Sequence, residues 1–212
     1  MIQKSKIAIL GGGGRTGKFL VTELLQQGYA LKLLLRAPEN FPIQHHLIEI
    51  IKGDATDPQA IHDLLKDCDA IISTLGQRQG EPMVASQATQ HILKVMGKNK
   101  IRRYILVAGI NIDTPSDKKS MQTLAATAYM KSNFPTIQED RQKAYSLLSD
   151  CDLDWTLVRV PMIEFSHEKQ ALKVSLEDCL GSKITAGSIA SFLVQQLQDD
   201  RYTRGAPFIS NE

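Results

Sequence analysis

Seven residues near the start, Gly11-Gly12-Gly13-Gly14-Arg15-Thr16-Gly17, have the composition and spacing to hold a diphosphate. They satisfy GxGxxG from Gly12 and GxxGxxG from Gly11. In such a loop one glycine lets the backbone approach the anion and a later one lets the helix pack closely. The helix N-terminus adds unpaired N–H groups and a positive dipole end. The run follows the apolar stretch Ile7-Ala8-Ile9-Leu10 and precedes Phe19-Leu20 and Leu24-Leu25 at helical spacing. Strand, glycine loop and helix therefore coincide, which implies dinucleotide binding rather than a loop that merely needs glycine. A left-handed backbone at Gly14 would be a further reason for glycine there.

The next residues of interest set the type of dinucleotide. An NAD-selective site places a carboxylate at the end of the second strand, where it accepts from the ribose hydroxyl. This chain has Arg36 there, after Leu31-Lys32-Leu33-Leu34-Leu35. A guanidinium pairs with a 2′-phosphate, and Arg15 in the loop offers a second cation. NADP(H) is expected in preference to NAD(H), which the same loop also admits. Asp54, after Gly53, stands where a carboxylate accepts from the adenine amino group or simply closes a turn, and Ala55 offers backbone. Thr74-Leu75-Gly76 closes a further strand on the same carboxyl edge, where open α/β sheets bind ligands.

Catalytic side chains are harder to find. Many short-chain dehydrogenases use a Tyr with a Lys four residues on, the lysine lowering the phenol pKa. The residues four beyond Tyr29, Tyr104, Tyr129, Tyr145 and Tyr202 are Leu33, Ala108, Asn133, Ser149 and Ala206, so no YxxxK exists. His45, His46, His62, His91 and His167 lack metal-ligand spacing, and HExxH, GxSxG and a full Walker pattern are absent. No catalytic residue and no metal ligand is assigned.

The elements that must position these groups follow an alternating pattern. Strands are expected at 31–35, 47–51, 70–74, 104–108 and 155–160, besides the first at 7–10. Helices are expected near 57–66, with Asp57 as cap and Pro58 in the first turn, and at about 82–98, 137–148 and 188–197. The turn-rich stretch Asp113 to Lys119 and the helix after it break the rhythm, and 110–135 reads as a mobile lid. Alternation implies a parallel sheet with right-handed crossovers. The fold class is α/β: a single Rossmann-like, doubly wound, mostly parallel sheet over residues 1–212, with helices on both faces and a small C-terminal substrate-side region.

Composition agrees with this. The 212 residues are 42% hydrophobic, 23% charged and 6% aromatic, the balance of an ordinary globular domain. A formal charge of +2 with no Lys/Arg block disfavours nucleic acid as a partner. Three cysteines without CxxC spacing suggest neither a disulfide framework nor a zinc ribbon. Four apolar residues before the glycines are too few for a signal core or a membrane span, so a soluble cytoplasmic chain without membrane contact is expected.

Taken together, Gly11-x-x-Gly14-x-x-Gly17, Leu35-Arg36, Gly53-Asp54, Leu75-Gly76 with Arg78, and Leu153-Asp154-Trp155-Thr156-Leu157-Val158-Arg159-Val160-Pro161 resemble the atypical short-chain dehydrogenase/reductase superfamily. The chain is most similar to its NmrA-like, biliverdin-IXβ reductase/flavin reductase group. The resemblance implies that Gly11, Gly14, Thr16 and Gly17 hold the pyrophosphate, Arg36 the 2′-phosphate and Asp54 the adenine, with Leu75, Gly76 and Arg78 alongside. It implies that Val107, Ala108 and Gly109 line the nicotinamide and that Pro161, Met162 and Ile163 meet its carboxamide. Biliverdin-IXβ reductases carry a serine where this chain has Gly109 and a histidine where it has Met162, which removes two polar groups.

The expected activity is NADPH-dependent hydride transfer to a planar acceptor such as a flavin, quinone or tetrapyrrole, with Ala108-Gly109 leaving room for a ring. The alternative is a redox sensor that reads NADP(H) without turnover, as NmrA-like regulators do. Sugar-nucleotide epimerisation is weaker, because its tyrosine is missing.

Overall fold

The computed structural model describes residues 5–77, 83–98 and 100–211. In chain order the elements of the first half are β1 (Lys6–Leu10), α1 (Arg15–Gln26), β2 (Ala30–Leu35), β3 (Ile48–Lys52), α2 (Pro58–Leu65), β4 (Ala70–Ser73), α3 (Val84–Met96) and β5 (Arg103–Gly109). There follow α4 (Met121–Asn133), α5 (Pro135–Ser149), β6 (Asp154–Val160), β7 (Met162–Glu164), β8 (Lys173–Ser175), β9 (Lys183–Thr185), α6 (Ala186–Gln195) and β10 (Phe208–Ser210).

Eight strands form one sheet in the order β3-β2-β1-β4-β5-β6-β10-β8. All pairs are parallel except β10 with β8, which run antiparallel. The direction of winding reverses at β1, which has β2 on one side and β4 on the other, with Ile7 opposite Leu31 and Ala70. At such a reversal the loops leaving adjacent strands part in opposite directions and open a crevice.

The strand sequences explain the burial. Ile7 and Ile9 enter one apolar cluster while Ala8 and Leu10 enter the other. Successive side chains point to opposite faces, and both faces are covered, so β1 reads as continuous hydrophobicity rather than alternation. One face carries α1 and α6, and the other α2, α3 and α5. The cap expected at α2 is present: the Asp57 side chain accepts from the Gln59 amide at 2.9 Å, with Pro58 in the first turn.

Four short strands depart from the sequence reading. Pro161 ends β6, and the chain resumes as β7, which pairs with β9 in a separate two-stranded sheet. Beyond them β8 and β10 extend the main sheet past β6. The segment 110–135, read as a lid, is held at its base. Asp117 pairs with Arg159 of β6 at 2.7 Å, Lys119 with Asp113 at 2.7 Å, and the Gln142 side chain bonds both the N–H and the C=O of Asp113. The helix in this segment, α4, exposes Met121, Leu124 and Tyr129 and buries Thr123 and Thr127. Among the described residues no helix is long and apolar enough to cross a membrane.

Candidate functional site

The crevice at the winding reversal is a cleft of about 640 Å³. Eight of the expected site residues line it: Gly11, Gly14 and Arg15 from the glycine loop, Arg36 after β2, Asp54 and Ala55 after β3, and Leu75 and Gly76 after β4. Each lies just beyond the carboxyl end of a strand, so the parallel sheet brings segments far apart in sequence to one edge.

The glycine loop is shaped by contacts that exclude side chains. Gly11 has φ +75°, and a Cβ there would lie 2.7 Å from the Thr74 backbone carbonyl. The left-handed residue is thus Gly11 and not Gly14, whose φ of −74° suits any residue. Gly14 donates its N–H to the Gly11 carbonyl at 2.9 Å. Gly17 is buried in the first turn of α1, where a Cβ would sit 2.0 Å from Gly11 O and 2.8 Å from Gly12 Cα. Gly17→Ala is expected to lower Tm by about 3 to 10 °C, since overpacking costs about 1–3 kcal/mol and only a backbone shift relieves it. Dinucleotide affinity should fall with it in a calorimetric titration, because the backbone that must move is the loop.

The start of α1 differs electrostatically from those of α2, α3, α4 and α6, while that of α5, at Pro135, likewise lacks a side-chain cap and an acidic first turn. Side chains of Asp57, Ser120 and Thr185 cap α2, α4 and α6, and Asp140 of α5 accepts from the Ala85 and Ser86 amides at the start of α3. The start of α1 has no side-chain cap and no acidic residue in its first turn, which instead carries Arg15 and Lys18. Cations at the positive end of a helix are unfavourable unless an anion sits between them, so this end fits a diphosphate.

Arg36 and Asp54 face one another at the end of the cleft beyond β2 and β3, with Nη1 to Oδ2 at 3.8 Å and both side chains about half exposed. Asp54 is first of all a turn residue: Oδ1 accepts from the Thr56 amide at 2.8 Å and from its hydroxyl at 2.7 Å. These bonds, with Arg36 behind them, hold its carboxyl below the usual range. Only Oδ2 remains for an outside donor, which narrows the adenine role expected for this residue. Phe41, missed from the sequence, also lines this end.

The other expected residues that the structure describes are not among those lining this cleft. Thr16 is half-buried in α1, and Arg78 lies outside the described residues. Ala108 lines an adjoining small crevice with Leu75, Tyr104 and Arg141, and Arg141 donates to the Leu75 carbonyl. Val107 packs into the core on the α1 side. Gly109 leaves no vacant space for a ring: the position its Cβ would take is 2.1 Å from Oδ1 of Asn111. Pro161 and Ile163 are half-buried around the start of β7, and Met162 is 74% exposed. Nearby Phe165, also missed, lies under the Arg15 guanidinium at 4.3 Å from ring centre to Cζ.

Titratable groups near the chemistry are few. Burial pushes the Tyr104 phenol up to about 12, and its hydroxyl is engaged with Thr89 and Ser73. No histidine, lysine or tyrosine lines the large cleft among the described residues. Among those residues no group of three His, Cys, Asp or Glu is placed to hold a metal ion.

Known proteins share this fold. A short-chain dehydrogenase/reductase from Veillonella parvula, solved in complex with NADP, superposes with a TM-score of 0.81 at 17% identity, covering 98% of this chain and 94% of that one. A candidate NADH-flavin reductase from Streptococcus pneumoniae superposes with a TM-score of 0.79 at 18% identity, covering 99% and 100%. At these identities the likeness is one of fold. In sequence, eugenol synthase 1 of Petunia hybrida is 32% identical over 113 residues, 49% of this chain and 35% of that enzyme. The chain thus spans about a third of the plant enzyme it matches. The profile of the NAD(P)H-binding family matches residues 11–200, which contain every part of the cleft described above. The chain belongs to that NAD(P)H-binding family.

Proposed function

We propose that the protein is an NADPH-dependent reductase that delivers a hydride to a planar conjugated acceptor, a flavin, quinone or tetrapyrrole. The observation that carries the reading is the uncapped, cationic start of α1 opening on a cleft with Arg36 at its far end and, among the described residues, no histidine, lysine or tyrosine on its walls. The reduced nicotinamide, when bound, supplies the hydride. The protein's part is to bind and orient. Loop amides and Arg15 take the diphosphate, Arg36 takes the 2′-phosphate, and Arg141 fixes the Leu75 carbonyl at the cleft floor.

The absence of a histidine, lysine or tyrosine from the cleft among the described residues supports a conjugated acceptor over an aliphatic ketone. The Tyr104 phenol lies beside Ser73 of β4, and burial raises its pKa to about 12, which keeps its proton in place against the opposite pull of its bonds with Thr89 and Ser73. A ketone needs a proton as the alkoxide forms, whereas a conjugated ring spreads the added charge and can take its proton from water.

The test is NADPH oxidation by the purified protein against flavins, quinones and biliverdin, with cofactor binding measured in parallel by calorimetry. At least one planar acceptor should be turned over, with kcat varying little across near-neutral pH. A bell-shaped profile, or turnover of aliphatic ketones alone, contradicts the reading. Tight binding without any oxidation favours the sensor.

A further inference from the structure

Arg15 opens α1 and lines the cleft, and its guanidinium makes no hydrogen bond or ion pair with any described residue. A cation in the first turn of a helix is disfavoured by the dipole, so its place there needs a cause. What it meets is Phe165, whose ring centre lies 4.3 Å from Cζ. A ring attracts the cation through its π face, so the five N–H donors of the guanidinium stay available to oxygen atoms. Phe165 is fixed in turn by the segment that carries it. After β7 the chain runs beside α1, with Phe165 on Arg15, the His167 ring 4.4 Å from that of Phe19, and Lys169 paired with the buried Glu23 at 2.7 Å. Positions two apart in the segment meet positions four apart in the helix. The spacing matches, since an extended chain rises about 6.6 Å over two residues and a helix about 6 Å over four. On its other side the Ser166 carbonyl accepts from the Gly187 amide at 2.9 Å, and the Glu168 carbonyl from the Thr185 hydroxyl at 2.7 Å, at the start of α6. Phe165 itself is 43% exposed, so core packing does not account for a phenyl ring there.

We propose that Phe165 is a positioning residue for the dinucleotide: its ring holds the Arg15 guanidinium at the start of α1, where the free N–H groups meet the diphosphate. The inference rests on the placement of the dinucleotide at the glycine loop and adds to it a contribution from the segment after β7. A long side chain already held in place loses less freedom when the anion arrives, and the same contact offsets the dipole's repulsion while the site is empty. The segment acts through Arg15 alone, so its effect is confined to ligands that carry the diphosphate.

Calorimetric titration of the full chain with two probes tests this. One is NADP⁺, and the other is 2′-AMP, which has the adenine and the 2′-phosphate but no diphosphate. Phe165→Leu should weaken NADP⁺ about two- to fivefold, the worth of an exposed cation–π contact, and leave 2′-AMP unchanged. Phe165→Trp, which keeps a ring face, should bind NADP⁺ at least as tightly as wild type. Arg15→Met should weaken NADP⁺ by more, and adding Phe165→Leu to it should cost nothing further, because the ring has lost the group through which it acts. Equal NADP⁺ affinity in wild type and Phe165→Leu overturns the proposal. So does a loss that 2′-AMP shares, or one that persists in the Arg15→Met background, since either marks Phe165 as a packing residue of its segment. If Gly14→Val abolishes NADP⁺ binding while Phe165→Leu leaves it intact, only this inference fails. If wild-type protein does not bind NADP⁺, or Gly14→Val binds it equally well, the placement at the glycine loop fails and this inference with it.

Discussion

Asp117→Ala is expected to destabilise the protein by about 3 to 5 kcal/mol, the range for removing one partner of a buried ion pair. For a chain of this size that corresponds to a drop in Tm of roughly 6 to 20 °C. The partner, Arg159, is 0% exposed on β6, and burial already pulls its guanidinium below its ordinary pKa. Its bonds run to four groups: Asp117 Oδ1 at 2.7 Å, the Ile112 carbonyl at 3.0 Å, the Ala206 carbonyl at 2.9 Å and the Leu176 carbonyl at 3.4 Å. The Phe208 ring lies against its Cζ at 3.4 Å. Carbonyl dipoles cannot replace a carboxylate, so the alanine variant leaves a charge uncompensated in the interior. The double variant Asp117→Leu/Arg159→Met removes both charges and should recover much of the loss. Thermal melts of the three proteins decide the matter. A single variant as stable as wild type would mean that the guanidinium finds water or another anion.

Arg36→Glu is expected to reverse the cofactor preference, weakening NADPH about tenfold or more while NADH is held or gains. A charge-assisted hydrogen bond contributes about 1.5–3 kcal/mol, and the variant replaces it with repulsion. Asp54 adds to the effect. Its Oδ2 lies 3.8 Å from Arg36, and its carboxyl is held below the usual range by Thr56, so it stays charged at neutral pH. In the variant two carboxylates flank the place of the 2′-phosphate, and the same pair suits a ribose that offers hydroxyl donors. An unchanged ratio of the two affinities would place the 2′-phosphate elsewhere.

The parts of this site that were legible in the sequence are those written in local residues. The glycine loop announces itself because a turn, a close approach and a helix start all demand glycine within seven positions, and the flanking apolar runs fix the strand and helix. Arg36 was readable because the end of β2 is defined by Leu31 to Leu35. The short strands β7 to β10 were not, since three residues carry no period. Asn111 was also hidden: its place beside Gly109 depends on Gln138, 27 positions later, and on the absence of a side chain at Gly109. The Asp117–Arg159 pair joins residues 42 positions apart, and neither one's neighbours in sequence suggest that it is buried. The empty space expected at Ala108-Gly109 was inferred from small residues, and a neighbour's side chain had taken it.

Titration of NADPH into wild-type protein and Gly14→Val by calorimetry decides whether the open start of α1 holds the dinucleotide. Gly14 has an extended backbone with φ −74°, so valine meets no left-handed strain, and the nearest atom to its Cβ is Gly11 O at 3.1 Å. The side chain would stand at the N-cap, where the amides of α1 face the cleft. Wild-type protein should bind NADPH with one site per chain, and the variant should lose at least tenfold in affinity while melting within a few degrees of wild type. Equal affinity in the two folded proteins would place the dinucleotide away from the glycine loop.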